Sequence, residues 1–289
     1  MIPFLRSALF ILTSLLFISC SEDTINNNVI TPPDTTSSQN NFKYPYNLNS
    51  FWYYSTKNFI TNLRPDSLNV YFTTDTTIGY GGAVFTKDTI INKDTLKLLR
   101  NSHSNNGHSH TTLEYYRQSD SGLIRIAYYS DGINFGPYRP AGNLNFSVHG
   151  QTFNSLNELT DKYKSDLTSG DTTLFFDDPP IKVLKYPLSV NTEWTLINYG
   201  TTRITKKYTG YEMVSLPSGN FYCLKIQRKV YYNSTIPDTN YFYFDYFAKE
   251  GMIKRDFLLK DILISNSNGD PIGYIDVKEE AFLNIFILP

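Results

Sequence analysis

Apolar residues in this chain fall into short runs bounded by polar turn residues. Beyond the N-terminal segment, no long stretch repeats with the period of a helix. The runs are rich in Tyr, Phe, Thr, Ile and Val, which favour strands, and the Asn, Asp and Gly between them favour turns. The 23 Tyr and 20 Phe in 289 residues strengthen that reading, and the pattern predicts an all-β fold. One short helix is expected, over Ser155 to Leu167. Pro217-Ser218-Gly219 reads as a hairpin turn, with Pro presetting φ and Gly supplying a positive φ. Asn105-Asn106-Gly107 reads as a second hairpin tip, and the Asp-Thr stretches at 69–77 and 88–96 as further hairpin turns.

The apolar pattern also repeats. Tyr44-Pro45-Tyr46-Asn47-Leu48-Asn49-Ser50-Phe51-Trp52 matches Tyr186-Pro187-Leu188-Ser189-Val190-Asn191-Thr192-Glu193-Trp194, and Trp52 and Trp194 are the only 2 Trp in the chain. Each block leads to an aromatic strand, a polar turn ending in Gly (Gly122, Gly251) and a strand that begins apolar-apolar-basic. The expectation is two tandem, duplicated, curved antiparallel β-sheet units, sandwich-like or half-barrel-like, spanning 42–180 and 181–289. A single sheet that reuses one turn-and-Trp idiom is the alternative. Asp177-Asp178-Pro179-Pro180 marks the expected boundary.

The chain starts in a different register. Met1 to Arg6 is short and positive, and Ala8 to Phe17 is strongly apolar. That stretch is too short for a bilayer core, which needs about 20 apolar residues. Ile18-Ser19-Cys20 follows. The arrangement over residues 1–19 resembles the signal peptide of bacterial lipoproteins, cut just before a cysteine that carries lipid. Phe17 stands where that family usually has Leu, and an ordinary secretory signal with an incidental Cys is the alternative. The resemblance implies a diacylglyceryl thioether and an acylated amino group on Cys20, which together anchor a protein stably to a membrane. Ser21-Glu22-Asp23 resembles the surface-export signal of Bacteroidetes lipoproteins. It implies the outer membrane of a Gram-negative cell, with the cell surface ahead of the periplasmic face. Residues 20–41 then carry the lipidated Cys and a polar tether with little to bury. About 20 flexible residues give it a reach of roughly 25 Å.

A second resemblance lies in the last third. Val214, Pro217, Gly219 and Phe221, followed by Gly251-Met252-Ile253-Lys254, are similar to a β-domain common in uncharacterised Bacteroidetes lipoproteins. That domain opens with Pro-Leu-x-x-Gly-x-x-Trp, and here Asn191 takes the Gly position. Asn also tolerates a left-handed backbone. The resemblance implies a curved antiparallel sheet and no activity.

Charge and cysteine content narrow the chemistry. A formal net charge of −1 and the lack of any basic run argue against nucleic-acid binding. With Cys20 lipidated, Cys223 is left alone, and it sits in a strand-like run as a small hydrophobe. Three of the 4 His cluster at His103, His108 and His110. Residues 108 and 110 share a strand face, and His103 could reach back across the turn to complete a metal or pH-sensitive site. The competing reading is a solvated hairpin tip. No nucleophile or phosphate-loop motif is present. The pairs Asp177-Asp178 and Glu279-Glu280 cannot flank one bond, because adjacent strand residues face opposite ways. Half the rings of Tyr231-Tyr232 and Tyr241-Phe242-Tyr243-Phe244 must face away from one core.

The reading is therefore a membrane-anchored lipoprotein, without catalysis or cofactor, that presents a β surface to a glycan, lipid or protein ligand. The rivals are a metal-dependent envelope enzyme built on the His cluster and a lipid or lipoprotein carrier with an apolar cavity under a lid.

Overall fold

The structure, a computed structural model, describes residues 42–72, 76–105, 108–130, 143–164 and 174–289. The segments expected to be a signal peptide (1–19) and a lipidated tether (20–41, with Cys20) fall outside the described residues. Among those described, no helix is long and apolar enough to cross a membrane.

The all-β expectation holds. Five strands follow one another as an antiparallel meander: β1 (Phe51–Arg64), β2 (Thr77–Ile91), β3 (Asp94–Asn105), β4 (His108–Ser119) and β5 (Gly122–Ser130). A small layer comes next, made of β6 (Asn145–Val148), β7 (Gln151–Phe153) and the helix α1 (Leu156–Lys164), and then β8 (Phe175–Lys185). A second meander completes the chain: β9 (Glu193–Tyr199), β10 (Thr202–Leu216), β11 (Gly219–Tyr232), β12 (Tyr241–Ala248), β13 (Gly251–Ser265) and β14 (Pro271–Ile287).

All of this forms one sheet. Its order is β8-β5-β4-β3-β2-β1-β14-β13-β12-β11-β10-β9, with β6 and β7 attached to β13. The two meanders join where β1 pairs with β14, from Phe51 opposite Ile287 to Arg64 opposite Tyr274. At the other junction the Trp194 indole donates to the Lys182 carbonyl at 2.8 Å, so β9 is tied to β8 and the sheet curls into a nearly closed barrel. Residue 180 lies inside β8, which pairs with β5 of the first meander.

The matched blocks build matched locks. Asn49 and Asn191 take left-handed φ values of 66° and 68°. Asn49 N donates to Phe85 O and Phe85 N to Ser50 O; Asn191 N donates to Tyr208 O and Tyr208 N to Thr192 O. Phe85 and Tyr208 are both fully buried, and each stands beside a register shift in its strand. The two blocks also touch, because the Tyr44 amide donates to the Tyr186 hydroxyl at 2.8 Å.

Strand alternation fills the barrel with two apolar clusters. One gathers Trp52, Phe85, Tyr116, Leu184, Trp194, Tyr208 and Leu283 at the end where the chain enters. The other gathers Leu68, Phe146, Leu159, Leu196, Phe257 and Ile275 at the opposite end. The helix α1 covers part of this second end. It starts where Ser155 and Glu158 cap it: the Glu158 amide donates to Ser155 Oγ, and Glu158 Oε2 accepts from the Asn154 amide. Leu156, Leu159 and Tyr163 share its buried face, as the expected helix over this segment requires.

Gly251 shows how tightly the entry end is packed. Its φ is +113°, and a Cβ there would lie 2.6 Å from Trp52 Nε1. The same indole donates to the Glu250 carbonyl, so it cannot move aside freely. Gly251→Ala should cost about 3 kcal/mol or more in chemical denaturation. Gly200→Ala, at φ +54° with open space around it, should cost about 1 kcal/mol. Equal losses at the two sites would show that the Trp52 contact does not matter.

Candidate functional site

Between the two apolar clusters the inward positions turn polar. The same alternation that aims Ile253 and Phe257 into the barrel aims Arg255 there, and on β12 Asp245 sits between inward Tyr243 and Phe247. Lys206 falls between Ile204 and Tyr208 on β10, Arg228 between Ile226 and Val230 on β11, and Glu279 between Val277 and Ala281 on β14. On the other side of the barrel, Thr56, Thr112 and Arg125 are likewise buried, and Glu114 is nearly so. A belt of charge thus crosses the middle of the barrel.

Nearly every charge in the belt has a partner on another strand. Arg255 Nε donates to Asp245 Oδ1 at 2.7 Å, and these two residues are also register partners. Lys206 Nζ stands 3.9 Å from Asp245 Oδ2. Arg125 grips Asp177 of β8 with two hydrogen bonds, 2.8 and 3.1 Å, and lies 3.5 Å from Glu114. Glu114 also accepts from Asn101 and from the Tyr116 hydroxyl. Lys164, the last residue of α1, reaches Glu279 at 2.5 Å, while its carbonyl accepts from Arg228. The Tyr243 ring carries the Arg228 and Arg255 guanidiniums within 5.1 and 5.2 Å of its centroid.

These pairs fix the ionisation states. Burial by itself penalises charge on Arg125 and Arg255. The Asp177 hydrogen bond and the charge of Glu114 nevertheless raise the Arg125 pKa, and Asp245 does the same for Arg255. Burial pushes the Glu279 carboxyl up, but Lys164 overcomes it and holds the pKa below the usual range. His103 goes the other way: desolvation, aided by the charge of Lys164, lowers it from 6.5 to about 4, so it is neutral at physiological pH.

The belt borders a cavity of about 780 Å³, within the usual range for small-molecule sites. Belt residues Thr56, Glu114, Arg125, Lys206, Asp245, Arg255 and Glu279 line it, with Tyr54, Phe85, Tyr116, Tyr243 and Phe247 supplying aromatic surface. Ser155, Asn157, Glu158, Lys162 and Lys164 contribute from α1 and its cap. Gly81, Ser102, His103 and His110 contribute from β2, β3 and β4. Ser102, Glu158 and Lys162 are exposed, so the cavity meets solvent between α1 and these strands.

The sequence-predicted residues scatter around this site. His103 and His110 are cross-strand partners and both line the cavity. The His108 side chain falls outside the described residues, as do Asn106 and Gly107. Among the described residues, no group of three or more His, Cys, Asp or Glu could hold a metal ion. The fourth histidine, His149, lies apart, paired with Asp238 at 2.9 Å and stacked on Tyr232. Cys223 is fully buried, its thiol pushed up to about 12 by burial. Gly219 has φ +138° at the start of β11, directly after Pro217-Ser218, and Gly122 has φ +152° at the start of β5. Asp177 and Glu279 each belong to the interior, while Glu280 faces out to Lys278. Phe242 and Phe244, on the outer face of β12, are covered by Lys260 and Lys225.

Sequence reasoning passed over the belt. Its signal was present as charged residues in phase with inward apolar neighbours, as in Ile253-Lys254-Arg255-Asp256-Phe257. Aromatic residues on both faces of the strands hid which phase pointed inward.

No protein-family model matches the chain, and no curated protein matches it either. Among solved structures it is similar to a protein described as exported, with a YmcC-like fold, from Bacteroides fragilis. That likeness has 10% identity and a TM-score of 0.36, over 86% of this chain and 99% of the other. It is also similar to a protein described as a lipoprotein from Parabacteroides distasonis, at 10% identity and a TM-score of 0.30, over 86% of this chain and 100% of that one.

Proposed function

We propose that this chain is a lipid-anchored envelope protein, held on the outer membrane through Cys20, whose barrel is a non-catalytic binding module. The cell surface is the proposed face. The cavity lined by paired charges and aromatic rings carries the reading, because a purely structural barrel gains nothing from keeping so polar an interior next to open space. The ligand is small and hydrophilic. A lipid chain in this cavity would have to cover the charged belt without offering it hydrogen bonds, at high cost. The matching locks at Asn49 and Asn191 support a duplication of the units 42–180 and 181–289, with the ligand chamber enclosed between them.

Cys20→Ala should move the protein from the membrane to the soluble fraction and abolish acyl labelling; retention without label would remove the anchor from this reading. For the chamber, thermal shifts of the detergent-solubilised mature chain can be read against neutral sugars, free amino acids, phosphate and citrate. A ligand at 100 times its Kd stabilises by about 2.7 kcal/mol. At least one class should raise Tm in the native chain and fail to do so in Ala281→Leu, which narrows the cavity beside Glu279. No shift from any class would overturn the chamber.

The mouth should also make stability depend on pH. His103 titrates near 4 when folded and 6.5 when unfolded, so between those values the unfolded chain binds the extra proton. Its contribution is complete above about 6.5 and lost as pH falls toward 4, on the order of 2–3 kcal/mol. His103→Gln should flatten that part of the acid limb in urea titrations at a pH of about 7 and about 4.5. An unchanged slope would place the acid sensitivity elsewhere.

A further inference from the structure

We infer that the outer face of β14, β1 and β2 docks on a phospholipid bilayer, a reading that rests on the Cys20 anchor proposed above. Trp52 and Tyr54 point into the barrel and are buried, so Phe51 and Tyr53 point out. Register then sets three rows side by side across the three strands. Ile287, Phe51 and Val84 form the first row, Ile285, Tyr53 and Gly82 the second, and Phe282, Ser55 and Tyr80 the third. Ile287, Ile285 and Tyr80 are 58%, 55% and 47% exposed. The Tyr53 and Tyr80 rings stack at 6.0 Å with 8° between their planes. The Phe51 ring leans over Gly82, with Cε2 3.8 Å from where a Cβ would stand. The apolar side chains therefore make one continuous surface.

Its size bears on what covers it. Three rows about 6.7 Å apart on strands about 4.8 Å apart cover roughly 300 Å². An apolar patch of that size on a monomer is often functional. It falls well short of the roughly 800 Å² per partner that a stable protein interface buries, which argues against a second copy of this chain.

The point where the chain enters favours the bilayer. The described chain begins at Phe42, which packs on the entry-end cluster. The Tyr44 ring stands 5.5 Å from Trp52, the neighbour of Phe51. Only residues 21–41 separate Cys20 from this end of the barrel. A flexible chain of that length reaches roughly 25 Å, so lipid on Cys20 holds the patch at high effective concentration beside the membrane. A contact too small to join two proteins then suffices, because the anchor has already brought the surfaces together. The side chains suit the boundary between headgroups and acyl chains. Tyr53 and Tyr80 combine an apolar ring with a polar tip. Lys57, 5.3 Å from the centroid of the Phe282 ring, and Arg100, the register partner of Val84, put cations at the border, where lipid phosphates lie.

Site-specific quenching tests the docked face. The acylated mature chain is reconstituted into mixed phosphatidylethanolamine–phosphatidylglycerol vesicles with an environment-sensitive dye on Ile285→Cys. Cys223 is fully buried and stays unlabelled. Nitroxide-bearing lipid should quench most of the emission from position 285. The same dye on Thr235→Cys, in the exposed loop between β11 and β12 at the opposite end, should keep its emission. Ile287→Glu together with Tyr80→Glu should abolish quenching at 285 while the chain still floats with the vesicles. Flotation and acyl label without quenching at 285 would overturn the docking and leave the anchor standing. Absence of both acyl label and flotation would overturn the two together. Equal quenching at 285 and 235, or quenching that survives the double Glu variant, would overturn the assignment of this face. Dye protection that persists in detergent and grows with protein concentration would reveal a second copy in place of the bilayer.

Discussion

The structure depends on pairing charge inside a barrel. Burying an ion is costly, and removing one partner of a buried pair commonly costs about 3–5 kcal/mol because the other is stranded. In this chain the partners sit on different elements, so each pair is also a constraint on geometry. Asp245 and Arg255 fix the register of β12 on β13. Arg125 and Asp177 hold β5 to β8 near the end of the sheet. Lys164 and Glu279 dock α1 onto β14, and Arg228 caps the carbonyl at the end of the same helix. A register slip of one residue on any of these strands would expose the charges and bury their outward neighbours.

The apolar clusters on either side of the belt make that pairing affordable. The entry end is sealed by Trp52 and its contacts with Tyr44, Phe85 and Gly251. The far end is sealed by α1 and the β6–β7 layer packed on β13. Among the described lining residues, exposed Ser102, Glu158 and Lys162 meet solvent between α1 and strands β2 to β4, where His103 and His110 stand. The low dielectric that makes unpaired charge costly also strengthens hydrogen bonds to any ligand that enters. The site lies between the two apolar clusters.

Several local features were legible because short-range rules set them. The helix over 156–164 follows from Ser155-Leu156-Asn157-Glu158, a reciprocal cap that needs only neighbours in sequence. The left-handed backbone at Asn191 was readable for the same reason, since few residue types adopt it. Glu279 and Glu280 point opposite ways, as strand geometry demands, but the inward member could not be chosen from the pair itself. His103 and His110, two members of the histidine cluster, stand on the wall of a chamber whose main groups come from eight elements of the chain.

By itself the sequence determined the β character, the Pro217-Ser218-Gly219 turn, the repeated Asn-hydroxyl-x-Trp block and the lone buried Cys223, all fixed by backbone sterics and the apolar preference of single residues. Only the tertiary structure decided that both meanders share one sheet, which alternating positions face inward, and that Arg125 meets Asp177 across 52 residues and Lys164 meets Glu279 across 115. The reason is physical. A strand records the alternation of its two faces but not which of them is inside; closure of the barrel chooses, and it brings together charges that no local rule connects.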